Sequence, residues 1–339
     1  MSASALLEVE NLCTYFPLGK SHPFGPSRTV YAVDDVSFRV RRGTTFGIVG
    51  ESGCGKSTTA LSILRLIEPT SGAVRFDGHD LLNLKPKPMR RLRSRMQLIF
   101  QDPYSSLNPR ATAGRIVGAP LKTHGLIASQ AINDRVAELF AKVGLRPEQR
   151  AAFPHQFSGG QRQRISIARA LATDPDLIVC DEPVSALDVA IQAQILNLLI
   201  RLQRELNLTY LFISHDMGVV QHMCDEVAVM YLGKIVEHTD RNSLFSRPLH
   251  PYTWSLLSAV PSIYSDASAI EQRVKLQGDP PSPIEPPIGC RFAQRCPFAD
   301  TYHRCYSSMP RLRKIGARQR VACHRVTDDG VAPQDGYSH

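Results

Sequence analysis

The run Gly50-Glu51-Ser52-Gly53-Cys54-Gly55-Lys56-Ser57-Thr58 sets three glycines, a lysine and three hydroxyls in the spacing G-x-x-x-x-G-K-[ST]. Glycines without a Cβ let backbone N–H groups turn inward on phosphate oxygens, Lys56 brings a point charge to the β- and γ-phosphates, and the Ser57 hydroxyl can ligate Mg²⁺. A helix opening at Ser57 adds the positive end of its dipole. The chemistry is that of a cradle for a triphosphate.

A second group of residues supplies what such a cradle lacks. Asp181 and Glu182 follow the apolar run Leu177-Ile178-Val179-Cys180. Asp181 is placed to hold Mg²⁺, and Glu182 to act as general base toward a water attacking the γ-phosphate. His215 follows the apolar run Tyr210-Leu211-Phe212-Ile213 and can orient that water or sense the phosphate. Further on, Ser158-Gly159-Gly160-Gln161 precedes a helical pattern whose amino end can bind phosphate a second time. One triphosphate cannot easily use both loops of one domain, whereas two domains set head to tail can share each nucleotide. Phe16 and Tyr31 are the aromatics available to stack on a base.

These residues need strands that end at them. Leu6–Leu12 and Val30–Val40 alternate apolar and polar residues as half-buried strands do, and Phe46-Gly47-Ile48-Val49 delivers the cradle. Ala73–Gly78 reads as a short strand that looks antiparallel, and Met96–Phe100 as another that carries Gln101 at its tip. From residue 102 to about 174 the pattern is helical, with apolar spacing at Ile132, Val136, Leu139, Phe140 and Val143. The continuous apolar runs before Asp181 and Ser214 suit parallel strands buried on both faces. A helix over Val189–Asn207 and a hairpin over Val227–Glu237 complete an α/β core with ligands at strand carboxyl ends. Five prolines between Gly278 and Gly289 mark a semi-rigid linker. The expected division is a domain over 1–260, its helical part at about 102–174, and a small Cys-bearing extension over 261–339.

Composition narrows the class. With 339 residues, 43% of them hydrophobic, the chain can bury a sizeable core. No run approaches a membrane span, and Glu8 and Glu10 stand where a signal peptide would be basic, which predicts a cytoplasmic protein. The net charge of +9 gathers in two patches, Lys85 to Arg95 and Arg304 to Arg325. They read as solvated faces, or as contacts to anionic lipid heads, and not as a nucleic-acid platform, since Tyr306 alone of Phe, Tyr and Trp lies within them. Eight cysteines in a cytoplasmic chain argue against disulfides. Cys13, Cys54, Cys180 and Cys224 read as small buried thiols. Cys290, Cys296, Cys305 and Cys323 lie together as C-x5-C-x8-C-x17-C, a set that suits tetrahedral Zn²⁺ or a [4Fe–4S] cluster.

In order and spacing the motifs resemble those of ATP-binding cassette (ABC) proteins. Gly50–Thr58 resembles the Walker A motif, Gln101 the Q-loop residue, Ser158–Gln161 the signature, Leu177–Glu182 the Walker B strand with its catalytic Glu, Ser185–Asp188 the D-loop, and His215 the switch histidine. Phe16 resembles by position the adenine-stacking aromatic. The resemblance implies a P-loop ATPase core with an antiparallel β subdomain and a helical insertion, ATP as ligand, and Mg²⁺ held by Ser57, Gln101 and Asp181. It implies too that Ser158, Gly159, Gly160, Gln161 and Asp188 face the nucleotide of a partner.

Ile99–Arg110, Asp181–Asp188, Met230–Lys234 and His250–Thr253 are similar to the ATPase subunits of bacterial oligopeptide and dipeptide permeases, over nearly the whole chain. That similarity implies a peripheral protein on the cytoplasmic face of the inner membrane. Its partners would be a second, homologous ATPase subunit, two transmembrane permease subunits and, indirectly, an external solute-binding protein, with no nucleic acid. Peptides are the implied solute; related transporters carry glutathione, nickel chelates, opines or sugars. A [4Fe–4S] cluster is implied for the tail. A soluble cassette acting on nucleic acid or the ribosome is disfavoured by the single cassette and by the lack of a long coiled coil. A subunit that only binds ATP is disfavoured by the presence of Glu182 and His215.

Overall fold

The computed structural model describes residues 5–19, 28–258, 278–299 and 302–335. The boundary expected near residue 260 lies outside them. Two compact units interleave along the sequence, the first made of Met1–Leu7, Val40–Thr45 and Phe76–Ile213, the second of Glu8–Arg39, Phe46–Arg75 and Ser214–His339.

In the second unit, strands β1 (Ala5–Leu18), β2 (Arg28–Arg41) and β4 (Ser71–Phe76) lie in the order β2-β1-β4. Both long strands outrun the alternation read from sequence. The cradle strand β3 (Thr45–Val49) is buried at every position, which explains its unbroken apolar character. It pairs in parallel with β9 (Glu226–Tyr231), Phe46 opposite Glu226 and Val49 opposite Val229. The expected hairpin follows, β9 against β10 (Lys234–Asp240), turning at Leu232 and Gly233 with φ of 44° and 82°. Two tail strands, β11 (Arg313–Ile315) and β12 (Gln319–Val321), extend this sheet through antiparallel pairing of β12 with β10. The Cys-bearing tail therefore joins the unit by strand addition as well as by side-chain packing. The ring of Phe38 stacks on that of Phe46 at 4.6 Å between centroids, tying β2 to the cradle strand.

The first unit carries three parallel strands in the order β8-β7-β6: β6 (Met96–Ile99), β7 (Leu177–Asp181) and β8 (Thr209–Ser214). Leu177 sits opposite both Met96 and Thr209, so the ends of β6 and β7 are held in register. The expected helical region holds α3 (Ala113–His124), α4 (Ile132–Lys142) and α5 (Gly159–Leu171). Helix α4 buries Ile132, Val136, Leu139 and Phe140, the face its apolar spacing picks out. Helix α6 (Val189–Leu206) ends at Asn207 in the left-handed region, one residue short of the sequence estimate.

The basic run Lys85–Arg95 departs from expectation. It forms helix α2 (Pro86–Arg95), and its charges are not merely solvated. Arg90 donates to the Thr123 carbonyl at 2.6 Å, and Arg95 donates to Asp176 at 2.6 Å and to Asp77 at 2.7 Å. Arg42 closes a ring with the same two carboxylates at 2.7 and 2.9 Å. A charge run hides this because the acids that pair with it stand elsewhere in the sequence.

Candidate functional site

The cradle lies in the second unit, between β3 and α1 (Lys56–Ile63), which opens at Lys56, one residue earlier than the sequence suggests. Two glycines there are sterically required. A Cβ on Gly50 would stand 2.1 Å from the Met230 carbonyl oxygen, and one on Gly55, at φ +107°, 2.1 Å from that of Ala32. Gly53 is needed for its conformation alone, since its φ of +77° faces open space. Lys56 is buried, and its ammonium donates to the carbonyls of Gly50 and Glu51, each at 2.9 Å. Thr59 donates its hydroxyl to the Gly55 carbonyl at 2.9 Å, bracing the first turn of α1. Ser52 is exposed, while Ser57 and Thr58 are half-buried at the helix start. Burial pushes the Cys54 thiol up to about 11, which keeps this residue a neutral packing group.

Residue 51 is held from three directions, a feature the sequence reading missed. Its N–H donates to the Tyr252 hydroxyl at 2.8 Å, its carbonyl accepts from Lys56, and its carboxylate accepts both guanidinium arms of Arg295 at 2.7 and 3.0 Å. Tyr252 lies in the His250-Pro251-Tyr252-Thr253 stretch that the permease resemblance singled out without assigning a role. His215 is exposed, just past β8, and Asp216 caps helix α7 (Met217–Met223) by accepting from Gly218 and Val219. Phe16 is exposed. Tyr31 packs edge-on against Tyr15 at 4.8 Å, and Tyr15 donates its hydroxyl to Asp34 at 2.8 Å.

The first unit holds the remaining residues. Asp181 closes β7 opposite Ile213. Glu182 then turns off the strand into the left-handed region at φ 45°, its N–H donating to the Ile213 carbonyl at 3.0 Å. Such a conformation is uncommon outside glycine, and here it directs the acid away from the strand. The amide of Gln101 donates to the Glu182 carboxylate at 3.0 Å, so the structure brings these two predicted residues together.

Ser158 caps α5 in a reciprocal box. Its hydroxyl accepts from Gln161 N–H at 3.3 Å, and its own N–H donates to the Gln161 side chain at 3.0 Å. The loop is thus pre-shaped, with Ser158 exposed at its entrance. Gly160 admits Ile191 of α6, whose Cγ2 a Cβ would meet at 2.6 Å, and Gly159 sits beside Leu187 of the predicted D-loop. Asp188, at the start of α6, is exposed.

With this geometry in place, comparison with known proteins is decisive. A model of the ABC transporter family matches residues 33–185, and one of the oligopeptide/dipeptide transporter C-terminal region matches 236–305. The oligopeptide transport ATP-binding protein AppF of Bacillus subtilis (strain 168) is 49% identical over 320 residues, covering 94% of this chain and 97% of its own length. The chain belongs to the oligopeptide/dipeptide family of ABC transporter ATP-binding proteins. The dipeptide transport ATP-binding protein DppF of Escherichia coli (strain K12) is 46% identical, with 96% of this chain and 95% of that protein covered. Among solved structures, cbiO1 from Clostridium perfringens, part of the ABC transporter complex cbiONQ, matches with a TM-score of 0.61 at 27% identity, covering 72% of this chain and 91% of that one. The dimeric post-hydrolysis cassette MJ0796 bound to ADP and Pi matches with a TM-score of 0.62 at 28% identity, covering 69% of this chain and 98% of that one. ABC-type ATPase activity follows from this membership, and ATP and Mg²⁺ are consistent with it.

The tail overturns one expectation. Among the described residues no group of three or more His, Cys, Asp or Glu side chains is arranged to hold a metal ion, and the names of the relatives mention no such group. Neither [4Fe–4S] nor Zn²⁺ is supported at Cys290, Cys296, Cys305 and Cys323. Burial pushes the Cys290 and Cys296 thiols up to about 12. Cys305 packs with Ala293 and Ala299, with Cys290, Cys296 and Tyr302 against them, and Cys323 packs with Leu249, Ile315 and Val321. Cys13, Cys54, Cys180 and Cys224 are buried and not joined in disulfides, as read from sequence.

Proposed function

We propose that this ABC ATPase energises the import of peptides, of the dipeptide and oligopeptide class, as one ATP-hydrolysing subunit of a membrane transporter. The observation that carries the solute class is the near end-to-end likeness to proteins named for oligopeptide and dipeptide transport, the tail region included. Passage of the solute would fall to two permease subunits, the partners that the resemblance implies; among the described residues no helix of this chain is long and apolar enough to cross a membrane. The chain would sit peripherally on the cytoplasmic face of the inner membrane, with a solute-binding protein outside.

Lys56 and the backbone of Gly50–Thr58 would take the phosphates, with Phe16 against the adenine. Ser57, Gln101 and Asp181 would hold Mg²⁺, which supplies charge neutralisation at the γ-phosphate. Glu182 would accept a proton from the attacking water, with His215 orienting it. Ser158–Gln161 and Asp188 would serve a nucleotide on a second, homologous ATPase subunit, because the capped α5 start presents N–H groups and a serine to an anion already cradled elsewhere. The cassette MJ0796, a dimer in its solved form, supports pairing of this kind.

Purification of the tagged chain from its native membrane, followed by ATP-driven uptake of labelled di- and oligopeptides into vesicles carrying the recovered complex, tests the reading. Peptide uptake that stops in a Glu182→Gln complex is the expected result. A complex that hydrolyses ATP but moves no peptide would refute the solute class, and recovery without any permease would refute the transporter role.

A further inference from the structure

The short turn Gly289–Cys296 reaches the cradle through two arginines to which sequence assigns no function. Arg295, only 7% exposed, grips the Glu51 carboxylate with both arms and lies over the Tyr231 ring at 5.8 Å. Arg291, 5% exposed, donates to the Leu232 carbonyl and to Asp34. The next residue, Gly233, returns an N–H to the Cys54 carbonyl of the cradle at 2.8 Å. Between the two arginines, Phe292 is fully buried, with its ring 5.3 Å from that of Tyr231 and 5.4 Å from that of Tyr252. Tyr252 in turn holds the Glu51 N–H. One turn of the tail thus supports the side chain of Glu51 directly and its backbone through Tyr252, while the carbonyl of the same residue holds Lys56.

We propose that Arg295 is a positioning residue for the phosphate cradle. Acting through Glu51, it fixes the peptide on which the Lys56 ammonium rests, and so sets the affinity of this subunit for ATP. A bidentate, charge-assisted pair constrains direction as well as distance, which suits it to aiming a loop. Removing one partner strands the other charge in a largely buried site, so the loop must rearrange to rehydrate it. The effect is expected on ATP binding more than on the chemical step, because neither Arg295 nor Glu51 is assigned to the attacking water. The proposal rests on Gly50–Thr58 being the ATP site.

The test uses the complete transporter carrying Arg295→Met, Arg295→Lys, Glu51→Gln or the double variant Glu51→Gln/Arg295→Met, with steady-state KM and kcat for ATP and a thermal midpoint for each. Arg295→Met should raise KM about tenfold with kcat changed far less, a coupling of the usual size between linked sites. Arg295→Lys, which keeps the charge but loses the fork, should fall between it and the wild type. The double variant should be no worse than Glu51→Gln alone, since the two residues act as one unit. If Arg295→Met does not assemble, Glu51→Gln, which preserves shape, carries the same expected rise in KM. Unchanged KM in the folded variants, or additive losses in the double variant, would overturn the proposal. Lys56→Ala serves as the reference: wild-type ATP binding in that variant would show that the ATP site itself is misassigned, whatever Arg295 does.

Discussion

Gln101 donates a 3.0 Å hydrogen bond to Glu182, linking the residue past the end of β6 to the residue past the end of the adjacent strand β7. An amide N–H directed at a carboxylate narrows the angles it can adopt. The left-handed backbone of Glu182 and its N–H bond to Ile213 fix the base of the side chain, and Gln101 fixes its tip.

The first prediction concerns this pair. Glu182→Gln should bind ATP normally and hydrolyse it at least about 100-fold more slowly, the lower range for loss of a general base. Gln101→Ala should lower kcat about tenfold, because the base remains but is no longer aimed. Gln101→Glu should be worse than Gln101→Ala, since a second carboxylate at 3.0 Å would repel the first and push it out of place. ATPase rates beside equilibrium binding of a fluorescent ATP analogue separate the two effects. Equal activity for the alanine and glutamate variants would show that Gln101 does not act through Glu182.

A second prediction contrasts two glycines of the cradle. Gly55→Ala forces a Cβ within 2.1 Å of the Ala32 carbonyl oxygen at φ +107°, and nothing but backbone movement relieves it. ATP binding should be lost. Gly53→Ala meets open space at φ +77° and should cost only the strain of a left-handed alanine, about 1–2 kcal/mol, with ATP still bound. Denaturant titration and nucleotide binding distinguish the cases. A Gly53→Ala protein that loses ATP as completely as Gly55→Ala would mean the loop tolerates no change at all.

The cradle was legible because its chemistry demands adjacent residues in fixed spacing, and the strands around it because their burial leaves a continuous apolar signature. What escaped notice depends on partners far apart in the chain. Arg295 and Glu51 are separated by 244 positions, so nothing near either residue announces the pair. Arg95 looked like part of a solvated patch because Asp176, its best partner, lies 81 positions away. The tail cysteines misled for a different reason. Four thiols in one short segment have the composition of a ligand set, but Cys305, Cys290 and Cys296 pack with Ala293, Ala299 and Tyr302 while Cys323 packs with Leu249, Ile315 and Val321, a division that spacing does not announce.

The ring of Arg42, Arg95, Asp77 and Asp176 supports a third prediction. Each carboxylate bridges the two arginines at 2.6 to 2.9 Å, fastening α2 and β7 to the segment before β3. The members are about a third exposed, so solvent screens them, and Asp176→Asn should cost only about 1 kcal/mol. The loss should be greater at low salt than at high salt. The Arg95 hydrogen bond holds the Asp77 carboxyl below its usual range. A depressed folded pKa means stabilisation that is present above the unfolded value and disappears as pH falls through the folded one. Asp77→Asn should therefore flatten the acid side of the stability profile. Salt-independent stability of Asp176→Asn relative to wild type would show that the ring contributes by packing alone.

The last prediction has the opposite sign. Glu237 on β10 is fully buried and accepts the N–H groups of Leu249 and His250 at 2.9 and 2.8 Å, where it orients the chain entering α9 (Pro251–Ser258). Burial outweighs these bonds and pushes its carboxyl from 4.5 up to about 7. Because the folded state holds this proton more tightly than the unfolded chain, its contribution is complete below about pH 4.5 and disappears as pH rises through about 7. The full swing corresponds to about 3 kcal/mol. His250 beside it has the opposite slope: burial drives its pKa down to about 3, so it stays neutral in the fold while the unfolded chain takes up a proton below about 6.5, and the two contributions largely cancel between pH 4.5 and 6.5. Glu237→Gln, which mimics the protonated acid, should remove the Glu237 share and unmask that of His250, so that stability relative to wild type rises between pH 4.5 and 7. Denaturant midpoints across that range decide the matter, and a difference between variant and wild type that stays constant from about pH 5 to 7 would place the controlling proton on another group.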